Sequence, residues 1–312
     1  MPRTIMMFCG QGAQYYQMGR EFYRENAIYR QAIDRCDAIC KALGARPVSD
    51  IVYSRPLGES EHFDHLTESN VALLSVEYAL AMVMFDRGVQ PERLLGYSLG
   101  ETVAAVVGGV LALEDGLRLV HGQAELLRRL GTPGGMVAAL ADHGRVRRCV
   151  GDYAEIAAVN APAHCVVSTV AATIPATCDA LEREGVIWAR LPIRYPFHAS
   201  PLEPMAEPML RFLSDFRYEV PRLPIVSAAT GGIVGRFDAA HVWSVMRERL
   251  CFDETLRRLA VEGDWVLVEA GPSGTLASFT RQARLDGVTA WPAIDQFGQN
   301  AKTMDKLTAA AT

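Results

Sequence analysis

The stretch Leu94-Leu95-Gly96-Tyr97-Ser98-Leu99-Gly100-Glu101 allows few local structures. Two leucines make a short apolar run, a serine lies between Gly96 and Gly100, and Glu101-Thr102-Val103-Ala104-Ala105 has helical composition. Small residues on both sides of a serine let the chain turn sharply from strand into helix and leave the hydroxyl at the apex. The first amides of the following helix then point at that hydroxyl, where an oxyanion would be stabilised. This part of the chain is therefore committed to strand, turn and helix. By itself the Gly-x-Ser-x-Gly pattern fits a catalytic elbow and a structural turn equally well.

Upstream, the apolar run 4–9 reads as a buried strand that ends in the loop Gly10-Gln11-Gly12-Ala13-Gln14. That loop lacks the Gly-x-Gly-x-x-Gly order and no Walker lysine follows it, which argues against phosphate binding. Helices are expected over 18–43 and 70–87, the second apolar enough to be buried nearly all round, and then over 101–110 and 113–130. At Gly131-Thr132-Pro133-Gly134-Gly135 the composition changes and the elements shorten. Strands at 136–140, 156–160, 165–170 and 186–191 alternate with helices at 144–151 and 174–184. That order, β-α-β-β-α-β in about 60–70 residues, is ferredoxin-like. The chain thus divides into a large subdomain, 1–130 and 198–312, and a small one, 131–197, inserted into it. A helix over 201–212 and strands at 225–227 and 265–269 follow, and 308–312 is expected to fray.

The 312 residues are 50% hydrophobic and 21% charged, an ordinary globular balance able to bury a large core. A net charge of −5 offers no general basic surface for nucleic acid or an anionic membrane. The N-terminal apolar run is too short for a secretory signal. No stretch approaches the roughly 18–20 apolar residues that a membrane span needs. Seven scattered cysteines without a Cys-x-x-Cys pair suggest free thiols in a reducing compartment. The expectation is a soluble, cytoplasmic protein.

A serine needs a base, and seven histidines are present. His62 and His65, with Glu61 and Asp64 beside them, have a spacing that could hold a metal, but no zinc-site signature surrounds them and a solvated loop is the simpler reading. His121, His143, His164 and His241 have no distinguishing neighbours. His198 follows Pro196-Phe197 at the boundary between the subdomains, on a loop at a cleft, where a general base is well placed.

Taken together, these segments resemble a family. Phe8-Cys9-Gly10-Gln11-Gly12-Ala13-Gln14 is similar to the opening Phe-Pro-Gly-Gln-Gly-Ser-Gln of malonyl-CoA:ACP transacylases and polyketide-synthase acyltransferase domains. Gly96-Tyr97-Ser98-Leu99-Gly100-Glu101 resembles their Gly-His-Ser-Leu-Gly-Glu, Phe197-His198-Ala199-Ser200 their Phe-His-Ser segment, and Glu269-Ala270-Gly271-Pro272 their Glu-x-Gly-Pro. The motifs keep the family's order and span nearly the whole chain. The resemblance implies an α/β fold: an α/β-hydrolase-like large subdomain with a ferredoxin-like insertion. It implies Ser98 as nucleophile, His198 as general base and the backbone amides of Gln11 and Leu99 as oxyanion hole, with no metal and no bound cofactor. The acyl donor would be the phosphopantetheine arm of an acyl carrier protein, or CoA, and the family is usually monomeric. A backbone carbonyl orients the family's histidine, and the matching position falls near Cys251.

The departures carry as much information. Where the family holds malonyl's carboxylate with arginine, in Val-x-x-Arg-Gly-x-x-Met, this chain has Gln123, and Tyr97 replaces the histidine before the serine. Phe197 and Asn160 complete the expected substrate-binding set. An amide lacks the permanent charge and bidentate fork of a guanidinium. Losing such a pair typically costs about 2–5 kcal/mol. Arg128 or Arg129, one to two turns further on, would have to reach back to replace it. An uncharged acyl group is therefore expected. The first reading is an editing acyl hydrolase of a polyketide pathway, in which water resolves the acyl-Ser98 intermediate. The second is an acyltransferase that passes a non-malonyl acyl group to a carrier thiol. A malonyl transacylase and an inactive scaffold rank below both.

Overall fold

The computed structural model describes residues 3–54, 63–294 and 300–312. Its eleven strands are β1 (Thr4–Phe8), β2 (Arg93–Gly96), β3 (Gly134–Ala139), β4 (Glu155–Ala161), β5 (His164–Val170), β6 (Trp188–Arg190), β7 (Ile225–Ser227), β8 (Gly232–Ile233), β9 (Leu250–Cys251), β10 (Trp265–Glu269) and β11 (Val288–Pro292) among the described residues. They form two sheets, ordered β11-β10-β1-β2-β7-β8 and β6-β3-β5-β4-β9.

In the large sheet every pairing is parallel except β7 with β8. A central strand of such a sheet is covered on both faces, which is why all five residues of β1, Thr-Ile-Met-Met-Phe, are buried without alternation. Phe8 stands opposite Gly96 in the β1–β2 register. The loop after β1 and the turn after β2 therefore leave the carboxyl edge of the sheet side by side, the usual place for a site in an open α/β sheet.

The small sheet has ferredoxin-like order. Its Val137, Ala139, Cys165 and Val167 pack on helices His143–Val150 and Ile174–Arg183 in a core of their own. Alternation sends Met136, Ala138 and Val166 to the opposite face, where they border the cavities around Ser98. The sheet is not confined to 131–197. Its edge strand β9 comes from the later part of the chain and pairs in parallel with β4, Leu250 opposite Ala158 and Cys251 opposite Val159.

Several elements differ from the sequence expectation. The helix expected over 18–43 breaks into Arg20–Glu25 and Ala27–Ala42, because Asn26 turns extended and its side chain caps the second helix at Tyr29 N–H. Val48–Val52 forms a further short helix. The segment expected as a helix over 201–212 is a 3-10 turn, Ser200–Met205, followed by an α-helix, Ala206–Leu213. Residues 308–311 do not fray: they end the helix Asn300–Ala311, where Met304, Leu307 and Ala311 share one buried stripe. The helix Leu66–Asp86 is long and apolar enough to cross a membrane, contrary to the expectation for any stretch, and it lies mostly buried in the core with Glu77 near its middle. All seven cysteines are free.

Candidate active site

Ser98 links β2 to the helix Leu99–Val107 with φ 56° and ψ −123°. A residue with a side chain holds a positive φ only where its surroundings impose it. Neither Gly96 nor Gly100 has a positive φ, so the strain falls on the serine itself and the glycines serve close packing. A Cβ on Gly96 would lie 2.3 Å from Glu101 Cα, and one on Gly100 would lie 2.2 Å from the Phe8 carbonyl oxygen. Gly10 is similarly constrained, since its Cβ would meet Ser98 Cβ at 2.9 Å.

His198 also has a positive φ, 58°, and its N–H donates to the Met246 carbonyl at 3.0 Å. Its ring lies between two partners: Nδ1 is 3.0 Å from the Glu248 carbonyl oxygen, and Nε2 is 2.9 Å from Ser98 Oγ. A carbonyl only accepts, so Nδ1 carries the proton and Nε2 is free to accept from the serine hydroxyl. The orienting carbonyl is thus that of Glu248, three residues before the position expected from sequence. Glu248 ends the helix Ala239–Arg247 in an extended conformation, ψ 153°, which turns its carbonyl away from the helix axis. The Cys251 carbonyl does not serve here: Cys251 belongs to β9, and its carbonyl accepts from the Thr255 hydroxyl at 2.8 Å. Burial pushes the His198 imidazole down to about 4, offset in part by its bonds to Glu248 and Val245. No carboxylate contributes, so the ring is neutral across the ordinary working range.

The loop after β1 is moored from below. Glu77 Oε1 accepts from Cys9 N–H at 3.1 Å and from Cys9 Sγ at 2.6 Å. Gln11 Nε2 donates to Asn70 Oδ1, and Asn70 Nδ2 donates to Val120 O at 3.2 Å. Gln11 and Ser98 border the same pocket. Leu99 opens its helix, so its amide has no acceptor within that helix and is available at the serine. Glu269, of the Glu-x-Gly-Pro segment, is structural: its Oε2 accepts from Ala277 N–H at 2.7 Å, and burial pushes its carboxyl up to about 7.

Ser98 borders a pocket with Gln123, Phe197 and Met246 in its wall. Among the described residues none of its lining is arginine or lysine. Gln123 is buried and its Nε2 rests on Met246 Sδ at 3.1 Å. Neither alternative arginine reaches this wall: Arg128 is 62% exposed and pairs with Glu125 at 2.8 Å, and Arg129 is exposed. Tyr97 borders a cavity with Ser98, Phe197 and His198, and together with Asn160 it also lines a second cavity. There Tyr97 O–H donates to Asn160 Oδ1 at 2.8 Å, and His164 Nδ1 lies 3.3 Å from Asn160 Nδ2. His121 does not border the pocket with Ser98.

Sequence reasoning passed over His241, which lines the pocket with Ser98 and is bonded to buried Glu101. The available signal was Glu101 itself, an acid in the first turn of a helix otherwise apolar enough to be core. Of the suggested metal cluster, Glu61 and His62 lie outside the described residues, while Asp64 pairs with Arg194 at 2.7 Å. Among the described residues no group of three or more His, Cys, Asp or Glu could hold a metal ion.

A family model described as the acyl transferase domain matches residues 5–303. The chain is 35% identical over 280 residues to the polyketide biosynthesis acyltransferase homolog BaeD of Bacillus velezensis, covering 89% of this chain and 86% of the relative. It is 33% identical over 284 residues to the homolog PksD of Bacillus subtilis, with 89% and 86% covered. The acyltransferase domain from the second module of the salinomycin polyketide synthase superposes with a TM-score of 0.86 at 30% identity, over 98% of this chain and 72% of that one.

Proposed function

The chain belongs to the acyl transferase domain family, and from that premise we propose that it moves an uncharged acyl group from a phosphopantetheine thioester, through Ser98, to the thiol of an acyl carrier protein. The observation that carries this reading is the acyl pocket at Ser98, which holds the Gln123 amide where a cation would be needed for malonyl.

As Ser98 Oγ attacks the thioester carbonyl, its proton passes to His198 Nε2. The imidazolium is steadied by the Glu248 carbonyl, a neutral dipole, so the histidine starts neutral and returns its proton readily. The amides of Leu99 and Gln11 would stabilise the oxyanion. Collapse expels the pantetheine thiolate, which takes the proton from His198 and leaves acyl-Ser98. An incoming carrier thiol then gives its proton to Nε2, attacks the ester and restores the serine. Water entering the second step would make the enzyme a hydrolase, the outcome ranked first from sequence. The names of the relatives, acyltransferase homologs in polyketide biosynthesis, support the thiol and a polyketide carrier protein instead.

The test is to form the acyl-enzyme from butyryl thioester, remove the donor and add holo carrier protein. Intact-protein mass should show butyryl on the carrier. Free butyrate at the same rate with and without carrier would establish hydrolysis, and faster acylation from malonyl than from butyryl thioester would refute the uncharged substrate.

A further inference from the structure

The acyl pocket contains a second histidine, tied to a carboxylate. His241 Nε2 lies 2.5 Å from Glu101 Oε1, and Glu101 Oε2 accepts the Ser227 hydroxyl at 2.7 Å. The Ser227 oxygen in turn accepts from Ala229 N–H at 3.2 Å, which fixes the direction of its own proton. Glu101 is 2% exposed, and both Glu101 and His241 line the pocket. The Phe237 ring stands edge-on to the imidazole at 4.8 Å. Burying a carboxylate and an imidazole costs several kcal/mol unless both are fully paired. An alkyl chain has no use for them, and two aliphatic residues would fill the wall at less cost.

The bonding pattern fixes what the wall offers. Glu101 accepts on both oxygens, from Ser227 O–H and from His241 Nε2–H. An imidazole that donates from Nε2 has one polar atom left, Nδ1, which accepts in the Nε2–H tautomer. The Gln123 amide supplies the complementary donor, because its N–H rests on a thioether sulfur, a weak acceptor that a substrate oxygen would outcompete. A group that both donates and accepts, carries no charge and is joined to a carbon chain is an alcohol. We infer that the pocket is built for a hydroxyacyl chain, whose hydroxyl donates to His241 Nδ1 and accepts from Gln123, with Glu101 acting as the positioning residue for the imidazole. This rests on the reading of Ser98 as the acylated residue.

A merely structural Glu101–His241 pair would pin the helix Ala239–Arg247 to the helix after the elbow, and the test separates the two roles. Acylation of Ser98 is followed by intact-protein mass from β-hydroxyhexanoyl-, δ-hydroxyhexanoyl- and hexanoyl-pantetheine. At least one hydroxyacyl donor should exceed hexanoyl in kcat/KM by about tenfold, the scale of one buried hydrogen bond. In His241→Gln the amide nitrogen still reaches Glu101 but nothing replaces Nδ1, so the ratio should fall close to one. In His241→Asn a polar atom returns to the Nδ1 position and part of the ratio should return. Thermal melting of both variants reports the structural tie separately. Equal rates from all three donors in the wild type, or a ratio that survives His241→Gln, would overturn the inference alone. No adduct from any donor would overturn the acyl-Ser98 reading and this inference with it.

Discussion

His198 at Ser98 and His241 in the acyl pocket are held by opposite kinds of partner. His198 Nδ1 faces a backbone carbonyl, and burial lowers its basicity more than its backbone hydrogen bonds raise it, so the ring stays neutral. His241 Nε2 faces a buried carboxylate that accepts a second hydrogen bond from Ser227. In the proposed mechanism the first ring must take a proton and give it back within one turnover. A carbonyl orients the ring and supports the transient cation without placing a full charge beside it. The second ring has no proton to pass on and gains from being fixed. In the proposed mechanism it is the charge of the partner, neutral dipole or carboxyl group, more than proximity to the serine, that separates a base from a recognition group.

The largest effects fall on the first site. Ser98→Ala should abolish the acyl adduct seen by intact mass with butyryl-carrier protein while circular dichroism stays native; an adduct that persists would move the nucleophile elsewhere. His198→Ala should slow acylation by at least about a hundredfold, the usual scale for a lost general base. A rate near wild type would break the comparison and move the base to another histidine.

A pH series sharpens the same contrast. With the His198 ring held down to about 4, the acidic limb of acylation should lie near that value, well below the roughly 6.5 of a free imidazole. A limb near 6.5 would mean that the ring is solvated or paired with a charge. The same shift bears on stability. Between about 4 and 6.5 the unfolded chain binds a proton at His198 that the folded chain refuses, so this group's contribution is present above 6.5 and is lost as pH falls toward 4. The full loss is on the order of 3 kcal/mol. Burial raises Glu77, Glu101 and Glu269 and gives slopes of the opposite sign. The quantity to measure is therefore the difference between urea midpoints of wild type and His198→Gln across this range.

What was legible in the sequence was local. The elbow, the loop after β1 and the Phe197-His198 segment each carry their chemistry within a few residues. The helix Leu113–Leu130 has the bounds expected of it, and Gln123, singled out because it stands where the resembled family has arginine, lines the pocket with Ser98. The composition change at 131–135 and the order of the elements after it pointed to the ferredoxin-like arrangement, but β9, two residues long, leaves no periodic trace. Without β9 the turn that presents the Glu248 carbonyl could not be registered, and a backbone oxygen has no letter in the sequence. Tyr97 was expected at the acyl group because it stands where the resembled family has histidine before the serine. It borders one cavity with Ser98 and His198 and meets Asn160 in the other. The Glu101–His241 bond joins residues 140 apart, and neither has neighbours that announce the other. Asn26 breaks a helix of good composition because its side chain satisfies an orphan amide that propensity alone does not count.

The smallest expected effect concerns the wall opposite in chemistry to the base, and it depends on the carboxylate that distinguishes His241. If the missing cation at Gln123 is what excludes malonyl, Gln123→Arg should move the ratio of malonyl to butyryl acylation toward malonyl. A guanidinium free to face a substrate carboxylate would be worth about 2–5 kcal/mol. In this pocket it would not be free. Glu101 lines the same cavity, 2% exposed, with its charge shared only between Ser227 and His241. The introduced guanidinium would be drawn to that carboxylate before any substrate arrives, and the substrate would have to compete for it. We therefore expect a shift of only about tenfold, accompanied by slower butyryl transfer as polar bulk enters a desolvated wall. Adding Glu101→Gln to Gln123→Arg should enlarge the malonyl gain, since the competing charge is removed while the amide can still meet Ser227. The measurement is the malonyl-to-butyryl ratio of acyl-Ser98 formation in wild type, the single variant and the double variant. A double variant no better than the single one would show that Glu101 does not govern the charge of the pocket, and His241 would then be held by a partner whose ionisation has no reach beyond its own ring.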